Sequence, residues 1–170
     1  TDRGGIETEI VINAGGMFAK EIGALAGVDV PIVPMAHEYL VTKPAGLPVD
    51  MPTMRDPSLL VYFRPESGGL IMGGYERHCA PWSLDGIPAD FNGKLLEEDW
   101  PRFEELMEFA LHRVPSLGEM EVIKLINGPE AFTPDGEFIL GPSDVHGFWV
   151  AAGFCAHGLA GAGGMGRLVA

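Results

Sequence analysis

The sequence contains little of several features that mark particular classes of protein. It has only two cysteines, Cys79 and Cys155, which lie far apart and form neither a CxxC pair nor a metal-ligand spacing. It has 11 lysines and arginines against 24 aspartates and glutamates, and the net charge of −13 argues against nucleic acid and anionic membranes as partners. No apolar run approaches the length of about 18 residues that a membrane helix requires. These absences leave an acidic globular domain.

The hydrophobic pattern predicts a mixed fold. A chain of 170 residues with 46% hydrophobic residues is long enough to bury a core. The stretch 44–57 has four prolines and little periodicity, which predicts a loop. Strands are predicted at 9–13, 37–42, 59–64, 70–74, 119–126, 137–140 and 148–152, and helices at 17–26 and 99–114. The pattern therefore indicates an α+β fold with a largely antiparallel sheet and a covering helix.

The clearest helical pattern is 99–114. Asp99 is a suitable N-cap residue, and Pro101 falls in the first turn, where proline is tolerated. An apolar stripe at helical spacing predicts the buried face, and it consists of Trp100, Phe103, Met107, Ala110 and Val114.

Glycine is concentrated after the predicted strand 148–152. Gly153 opens a loop, and a small-residue helix is expected to follow, with glycines at 158, 161, 163, 164 and 166. Each glycine inside a helix costs about 1 kcal/mol relative to alanine. Close contact with a sheet, a helix or a flat ligand is the expected compensation, and the N-terminus of such a helix attracts negative charge.

Three segments carry a resemblance to a known family. They are VINAGGMFAKEIGALAGVDVPIVPMAHEYLVTKP, NGPEAFTPDGEFILG and GFWVAAGFCAHGLAGAGGMG. Together they resemble the D-amino-acid-oxidase-like (DAO) family of FAD-dependent oxidoreductases, in its dimethylglycine and sarcosine dehydrogenase branch. Family members begin with a strand followed by GxGxxG, which binds the FAD pyrophosphate, and the chain has no such unit. It is therefore expected to be a central-to-C-terminal fragment of a longer flavoprotein.

The resemblance implies a division into domains. Residues 1–34 and 128–170 are expected to be pieces of a Rossmann-like FAD-binding domain, and 35–127 a substrate-binding domain. FAD is the implied cofactor of the full-length protein, with weak or absent binding to this fragment, and no metal is expected. The positions implied to contact FAD are Asn13, Ala14, Gly15, Gly128, Pro129, Pro134, Asp135, Gly153, Phe154, His157, Gly158 and Leu159. Gly15 and Gly153 suit places where the backbone passes close to a ring.

The resemblance also implies catalytic roles for His37 and Tyr62, which would bind the amine and handle its proton. Strand alternation places Leu60, Tyr62 and Arg64 on one face and Phe63 on the other. Arg64 is then able to bind a substrate carboxylate with its planar guanidinium. The residues alone leave structural roles open, as a half-buried strand tyrosine, a solvated arginine and a structural histidine.

Three functions follow from the resemblance and remain open. The first is an FAD-dependent amine dehydrogenase or oxidase that acts on small N-methylated amino acids. The second is a regulatory protein similar to the pyruvate dehydrogenase phosphatase regulatory subunit, and the third is a deaminating amino-acid oxidase. The implied partners are a small amine, and tetrahydrofolate through a module outside this chain. Self-association of the isolated chain through an apolar flavin-side surface is also expected, and the expected location is the cytoplasm, or the mitochondrial matrix in a eukaryote.

Overall fold

The computed structural model describes residues 3–170, which form two compact units. Unit 1 contains the segment that ends at Met35 together with Pro81–Asp90 and Glu130–Ala170. Unit 2 contains Ala36–Ala80 and Phe91–Pro129. The segment 81–90, which the sequence prediction includes in the substrate-binding domain, therefore clusters with unit 1. The functional division into FAD-binding and substrate-binding domains remains a prediction.

Single helices separate runs of consecutive strands along the chain. The helices are α1 (Ala19–Leu25), α2 (Trp100–Arg113) and α3 (Gly158–Val169), with short 3-10 turns at Gly16–Phe18 and Pro115–Glu119. The strands are β1 (Val11–Asn13), β2 (Val33–Thr42), β3 (Met54–Asp56), β4 (Val61–Glu66), β5 (Gly69–Gly74), β6 (Ala80–Pro81), β7 (Val122–Phe132), β8 (Ile139–Pro142) and β9 (Phe148–Ala152).

Unit 2 is built on an antiparallel sheet covered by α2. The six-stranded sheet has the order β3-β4-β5-β2-β6, and β7 also pairs with β2. One sheet face carries Leu40, Phe63 and Met72, which form a core with Phe103 and Leu106 of α2. Side chains alternate between the two faces along a strand, and the opposite face of β2 and β4 is accordingly less buried.

Helix α2 begins as the sequence predicts, but one residue of its stripe is exposed. The Asp99 side chain accepts a hydrogen bond from the backbone N–H of Arg102 at 3.2 Å, which confirms the N-cap. Trp100 is wrongly predicted to be core, because 43% of it is exposed and its indole N–H donates to the Glu98 carboxylate. Leu106, which lies one helical turn after Arg102 and outside the predicted stripe, is buried.

Unit 1 has its own sheet and its own core. Its sheet has the order β1-β9-β8, with β1 and β9 parallel and β8 antiparallel to β9. The core comprises Ala19, Val30, Ile32, Ala131, Phe148, Val150 and Ala152. The observed strand β9 has the predicted bounds, and the α+β class with mostly antiparallel sheets is confirmed.

Two local predictions for unit 2 are wrong. The predicted loop 44–57 contains the short strand β3, which pairs with β4. Leu60 does not alternate with Tyr62, because it lies in the turn before β4 and has a left-handed φ of 59°.

Candidate functional site

His37 is held by a buried carboxylate within unit 2. It lies on the less buried face of β2, and its Nδ1 is 3.0 Å from Oε2 of Glu76. The other carboxylate oxygen of Glu76 accepts the backbone N–H of Glu38 at 3.1 Å, so Glu76 is fixed at both oxygens. An ionised carboxylate only accepts hydrogen bonds, so Nδ1 of His37 carries the hydrogen. In the neutral ring, Nε2 is then left as the acceptor.

Tyr62 lies in a cross-strand row on the same sheet. Tyr39 of β2 and Tyr62 of β4 both pair with Gly73 of β5, and Arg55 of β3 pairs with Tyr62. A Cβ at Gly73 would clash with the Tyr62 phenol and would lie 2.9 Å from Cβ of Tyr39. Glycine at this position therefore makes room for the Tyr62 ring over the strand.

Tyr75 connects this row with His37. Its ring centroid is 5.9 Å from that of His37 and 6.2 Å from that of Tyr62. The guanidinium carbon of Arg55 lies 4.9 Å from the Tyr75 ring centroid. We call His37, Arg55, Tyr62 and Tyr75 the tyrosine face. It combines an imidazole, two phenol rings and a cation.

The structure thus brings His37 and Tyr62 into one cluster, and it adds residues that the sequence interpretation missed. Tyr75 and Glu76 directly follow the predicted hairpin. Their ionisable side chains next to a strand end were the sequence signal that could have identified them as candidate site residues. Arg55 was hidden by the loop prediction for 44–57, since no strand alternation was expected there.

Arg64 occupies a different environment from Arg55. Burial alternates along β4 so that Tyr62 and Arg64 share a side and Phe63 is buried on the other, as predicted. The guanidinium of Arg64, however, lies 2.9 Å from the carboxylate of Glu66, and its side chain is 54% exposed. Arg64 therefore already has a carboxylate partner.

A buried ion pair on the core side anchors the strand that carries His37. The Glu38 side chain is fully buried, and its Oε2 lies 3.0 Å from Nη2 of Arg102 in α2. Its Oε1 accepts the backbone N–H of Asp99 at 3.0 Å. Burial raises the pKa of Glu38 above its ordinary value, and the Asp99 hydrogen bond and the charge of Arg102 oppose that shift. These contacts fix β2 against the start of α2.

In unit 1, the predicted cofactor residues after β1 form a tight turn. Buried Asn13 donates from Nδ2 to the backbone oxygen of Ala19 at 2.8 Å and accepts the N–H of Gly15 at 3.2 Å. A Cβ at Gly15 would clash with Ile22. The protein's own packing therefore accounts for a small residue at position 15 without a nearby ring.

The turn between β9 and α3 has an unusual backbone. Gly153, Cys155 and Ala156 all have left-handed φ values, of 69°, 48° and 63°. Left-handed residues other than glycine are costly and cluster at functional sites. A Cβ at Gly153 would also clash with Thr133, and the N–H of Cys155 donates to the oxygen of Ala131 at 3.1 Å. Cys155 is buried.

Next to this turn, a groove of about 480 Å³ runs along α3. Three predicted cofactor residues line it, Ala14, Phe154 and Gly158, together with apolar residues that include Leu140 and Met165. The first turn of α3 follows His157, which provides no side-chain cap. An apolar groove beside an uncapped helix N-terminus fits the ring end of FAD, whose reduced form carries negative charge.

The pyrophosphate end of FAD does not fit the glycines of α3. Gly161, Gly163 and Gly166 have the GxGxxG spacing, but they lie inside α3 rather than at a strand-to-helix turn. The expected close packing of this helix is also not observed. Within residues 3–170, no atom outside the neighbouring residues and the nearby backbone of α3 lies within 4 Å of a Cβ built at Gly163, Gly164 or Gly166, and α3 has no buried residue.

The other predicted cofactor residues occupy separate positions. Gly128 and Pro129 lie in β7 within unit 2. Pro134 and Asp135 lie in the β7–β8 turn, where the Asp135 carboxylate accepts the N–H of Glu137 at 3.1 Å and the hydroxyl of Thr133 at 3.0 Å. The Glu137 hydrogen bond, followed by that of Thr133, lowers the pKa of Asp135. Leu159 is fully exposed.

Clusters of metal-ligand side chains and membrane-spanning helices are both absent from residues 3–170. That part of the chain contains no cluster of three or more histidine, cysteine, aspartate or glutamate side chains suited to a metal ion. None of its helices has the length and apolar character needed to cross a membrane.

The chain is similar in sequence to a family of FAD-dependent oxidoreductases and to individual proteins related to it. The family described as FAD dependent oxidoreductase (DAO) matches residues 1–170. Mitochondrial dimethylglycine dehydrogenase of Rattus norvegicus is 35% identical over 98% of the chain, and mitochondrial sarcosine dehydrogenase of Mus musculus is 36% identical over 100%. The mitochondrial pyruvate dehydrogenase phosphatase regulatory subunit of Mus musculus is 37% identical over 100% of the chain. The chain spans only 20%, 18% and 20% of these three proteins.

A solved structure shows a similar fold. L-proline dehydrogenase from P. horikoshii matches 96% of the chain with a TM-score of 0.78 and 25% sequence identity. The chain covers 42% of that protein.

Proposed function

The chain belongs to the DAO family of FAD-dependent oxidoreductases, and from this premise we propose that it forms part of an enzyme that oxidises small N-methylated amino acids. The proposed reaction removes a hydride from an N-methyl carbon and leaves an iminium ion. Hydrolysis of that ion releases formaldehyde. The observation that carries this proposal is the His37–Glu76 hydrogen bond of 3.0 Å beside the rings of Tyr62 and Tyr75.

His37 is proposed to accept the proton of the incoming ammonium group. Because Glu76 engages Nδ1, Nε2 is the atom available for that proton. Loss of the proton frees the nitrogen lone pair, which drives hydride departure from the adjacent carbon. The faces of Tyr62 and Tyr75 attract the cationic amine before it loses its proton. When bound, FAD supplies the hydride acceptor.

The groove along α3 is proposed to hold the ring end of FAD. Ala14, Phe154 and Gly158 line that groove, and the backbone N–H groups of the first turn of α3 are suited to negative charge. We propose that the FAD pyrophosphate binds to a part of the protein outside this chain. Weak or absent FAD binding to the isolated chain is the corresponding proposal, and stoichiometric flavin in the purified chain would contradict it.

Anaerobic reduction tests the proposed activity. The flavin-containing protein that includes this chain is mixed with sarcosine or N,N-dimethylglycine, and the flavin absorbance near the visible maximum is followed. Bleaching with formaldehyde as the product supports the proposal, and ammonia as the product favours a deaminating oxidase. His37→Asn should slow the bleaching by about 100-fold or more, which is within the contribution of a general base.

The second candidate is a regulatory role without amine oxidation. The similarity of the whole chain to the mouse regulatory subunit favours it. The presence of His37 and Tyr62 in one cluster with Glu76 favours the enzyme instead. An unchanged flavin spectrum with every N-methylated amino acid tested would select the regulatory role. Transfer of a one-carbon group to tetrahydrofolate is a further proposal that requires a module outside this chain.

A further inference from the structure

We propose that Arg55, rather than Arg64, binds the carboxylate of the substrate. This inference rests on the proposed function, because it assigns the acid group of an amino-acid substrate to one side chain of the tyrosine face. It predicts that the site takes N-methylated amino acids in preference to amines without a carboxylate.

Arg55 is the arginine of unit 2 that lies over the Tyr75 ring, whereas Arg77 lies 5.5 Å from the ring centroid of Phe109 in α2, outside the tyrosine face. Arg64 pairs with Glu66, Arg102 with Glu38 and Arg113 with Asp56. Each of these guanidinium groups is already neutralised by a carboxylate. The contact that the structure gives Arg55 is the face of the Tyr75 ring, and that contact leaves its charge uncompensated.

Contact with Tyr75 leaves the guanidinium of Arg55 able to bind a carboxylate. A cation over an aromatic ring is attracted by the ring face, and its N–H groups can still donate two parallel hydrogen bonds to a carboxylate. The contact also restricts a long side chain before the ligand arrives, so less conformational entropy is lost on binding. Arg55 is therefore preorganised, whereas Arg64 would first have to leave Glu66.

The position of Tyr75 places Arg55 on the same face as the amine-binding residues. The Tyr75 centroid is 4.9 Å from the guanidinium carbon of Arg55 and 5.9 Å from the His37 ring centroid. Arg55 is also the direct cross-strand partner of Tyr62. A small zwitterion whose amine contacts His37 can thus direct its carboxylate along the Tyr75 ring toward Arg55.

The test compares substrates that differ only in the acid group. Sarcosine and its neutral amide, sarcosinamide, are supplied to the flavin-containing protein, and kcat/KM is measured for wild type, Arg55→Met, Arg55→Lys and Arg64→Met. Charge-assisted hydrogen bonds of this kind correspond to about 10- to 100-fold in kcat/KM. Arg55→Met should reduce the preference for sarcosine over sarcosinamide by that factor, mainly through KM. Arg55→Lys should restore part of the preference, and Arg64→Met should leave it unchanged.

Two outcomes would overturn the proposal. One is an unchanged preference in Arg55→Met, and the other is a loss of preference in Arg64→Met that equals or exceeds the loss in Arg55→Met. Urea unfolding checks that each variant is folded, and Arg55→Lys serves as the test if Arg55→Met is not. Arg55 is exposed on the edge strand β3, so both variants are expected to fold.

A binding measurement separates this inference from the proposed function. If wild type oxidises neither compound, the proposed function fails, and acetate is then titrated into the isotope-labelled chain. Saturable shifts of the Nε–H signal of Arg55 that exceed those of Arg64 would still support the carboxylate site. Equal shifts, or larger shifts at Arg64, would overturn it.

Discussion

Glu76 determines which ring nitrogen of His37 is available to accept a proton. Its carboxylate accepts the hydrogen on Nδ1 at 3.0 Å, while the backbone N–H of Glu38 holds the second oxygen. A carboxylate partner is suited to this task because it has no hydrogen to donate. We therefore infer that Glu76 is a positioning residue that acts through His37.

Glu76→Gln is expected to loosen this control. The glutamine amide can donate as well as accept, so the His37 ring is no longer confined to the form with hydrogen on Nδ1. Nitrogen chemical shifts of His37 should show a mixture of tautomers, and flavin reduction by an N-methylated amino acid should slow by about 10-fold or more. Glu66→Gln, which changes a carboxylate paired with Arg64, is the control. An unaltered tautomer in Glu76→Gln would contradict the assigned role.

At the scale of elements, regular patterns were predictable and short or strained ones were not. Helix α2 and strand β9 follow from Asp99 as N-cap and from a five-residue apolar run. Strand β3 has only three residues among prolines, so its pairing with β4 depends on tertiary contacts that no local pattern shows. Arg55 was missed for that reason. His37 and Tyr62 were proposed from the family resemblance, not from periodicity.

For helix α3, too, the local sequence pattern does not show which tertiary contacts are made. Its glycines predict a closely packed helix, yet the described part of the chain leaves Gly163 and Gly164 open. In this situation glycine costs about 1 kcal/mol relative to alanine without any contact in return. The requirement for glycine is therefore expected to lie in contacts that this chain does not make by itself.

Gly163→Ala is expected to stabilise α3 in the isolated chain. The added methyl group meets no atom within 4 Å beyond the neighbouring residues and the nearby helix backbone, so the helix should gain up to about 1 kcal/mol, measured by urea unfolding followed by circular dichroism. Gly23→Ala in α1 is the contrasting variant, because its Cβ would lie 2.6 Å from Val30 Cγ2 and 2.7 Å from the backbone oxygen of Val28. That variant should be destabilised. A loss of stability in Gly163→Ala would show that this glycine is already packed.

At the scale of the whole molecule, the free energy of unfolding of unit 2 should depend on pH in the acid range. Arg113 donates from Nε to the buried Asp56 carboxylate at 2.6 Å, and backbone N–H groups of Ser58 and Leu59 also donate to it. The Arg113 hydrogen bond is the main reason that the pKa of Asp56 lies below its ordinary value of 3.8. The folded carboxylate therefore stays ionised at a pH where the unfolded one takes up a proton.

The free energy of unfolding should consequently fall as the pH drops below that ordinary value of 3.8. The contribution of Asp56 is fully present above the unfolded pKa and is lost as the pH falls through the lower, folded pKa. Arg113→Met should show a shallower decrease in the same range, measured by urea unfolding at several pH values. Asp50→Asn, at an exposed carboxylate, should keep the wild-type slope. Equal slopes in wild type and Arg113→Met would refute the linkage.

The isolated chain is also expected to self-associate through unit 1. Leu159 is fully exposed and Leu168 is 71% exposed on α3, and Val11 and Ile12 of β1 are 46% and 47% exposed. Exposed apolar surface of this kind favours association in water. Size-exclusion chromatography of wild type should show an apparent mass that rises with concentration, whereas Leu159→Gln combined with Leu168→Gln should lower it. Val49→Gln, at an 82% exposed site in unit 2, tests whether an exposed apolar side chain outside unit 1 also contributes to self-association. A wild-type chain that elutes as a monomer at every concentration would exclude the association, and the exposed side chains of α3 would then be tolerated as isolated surface residues.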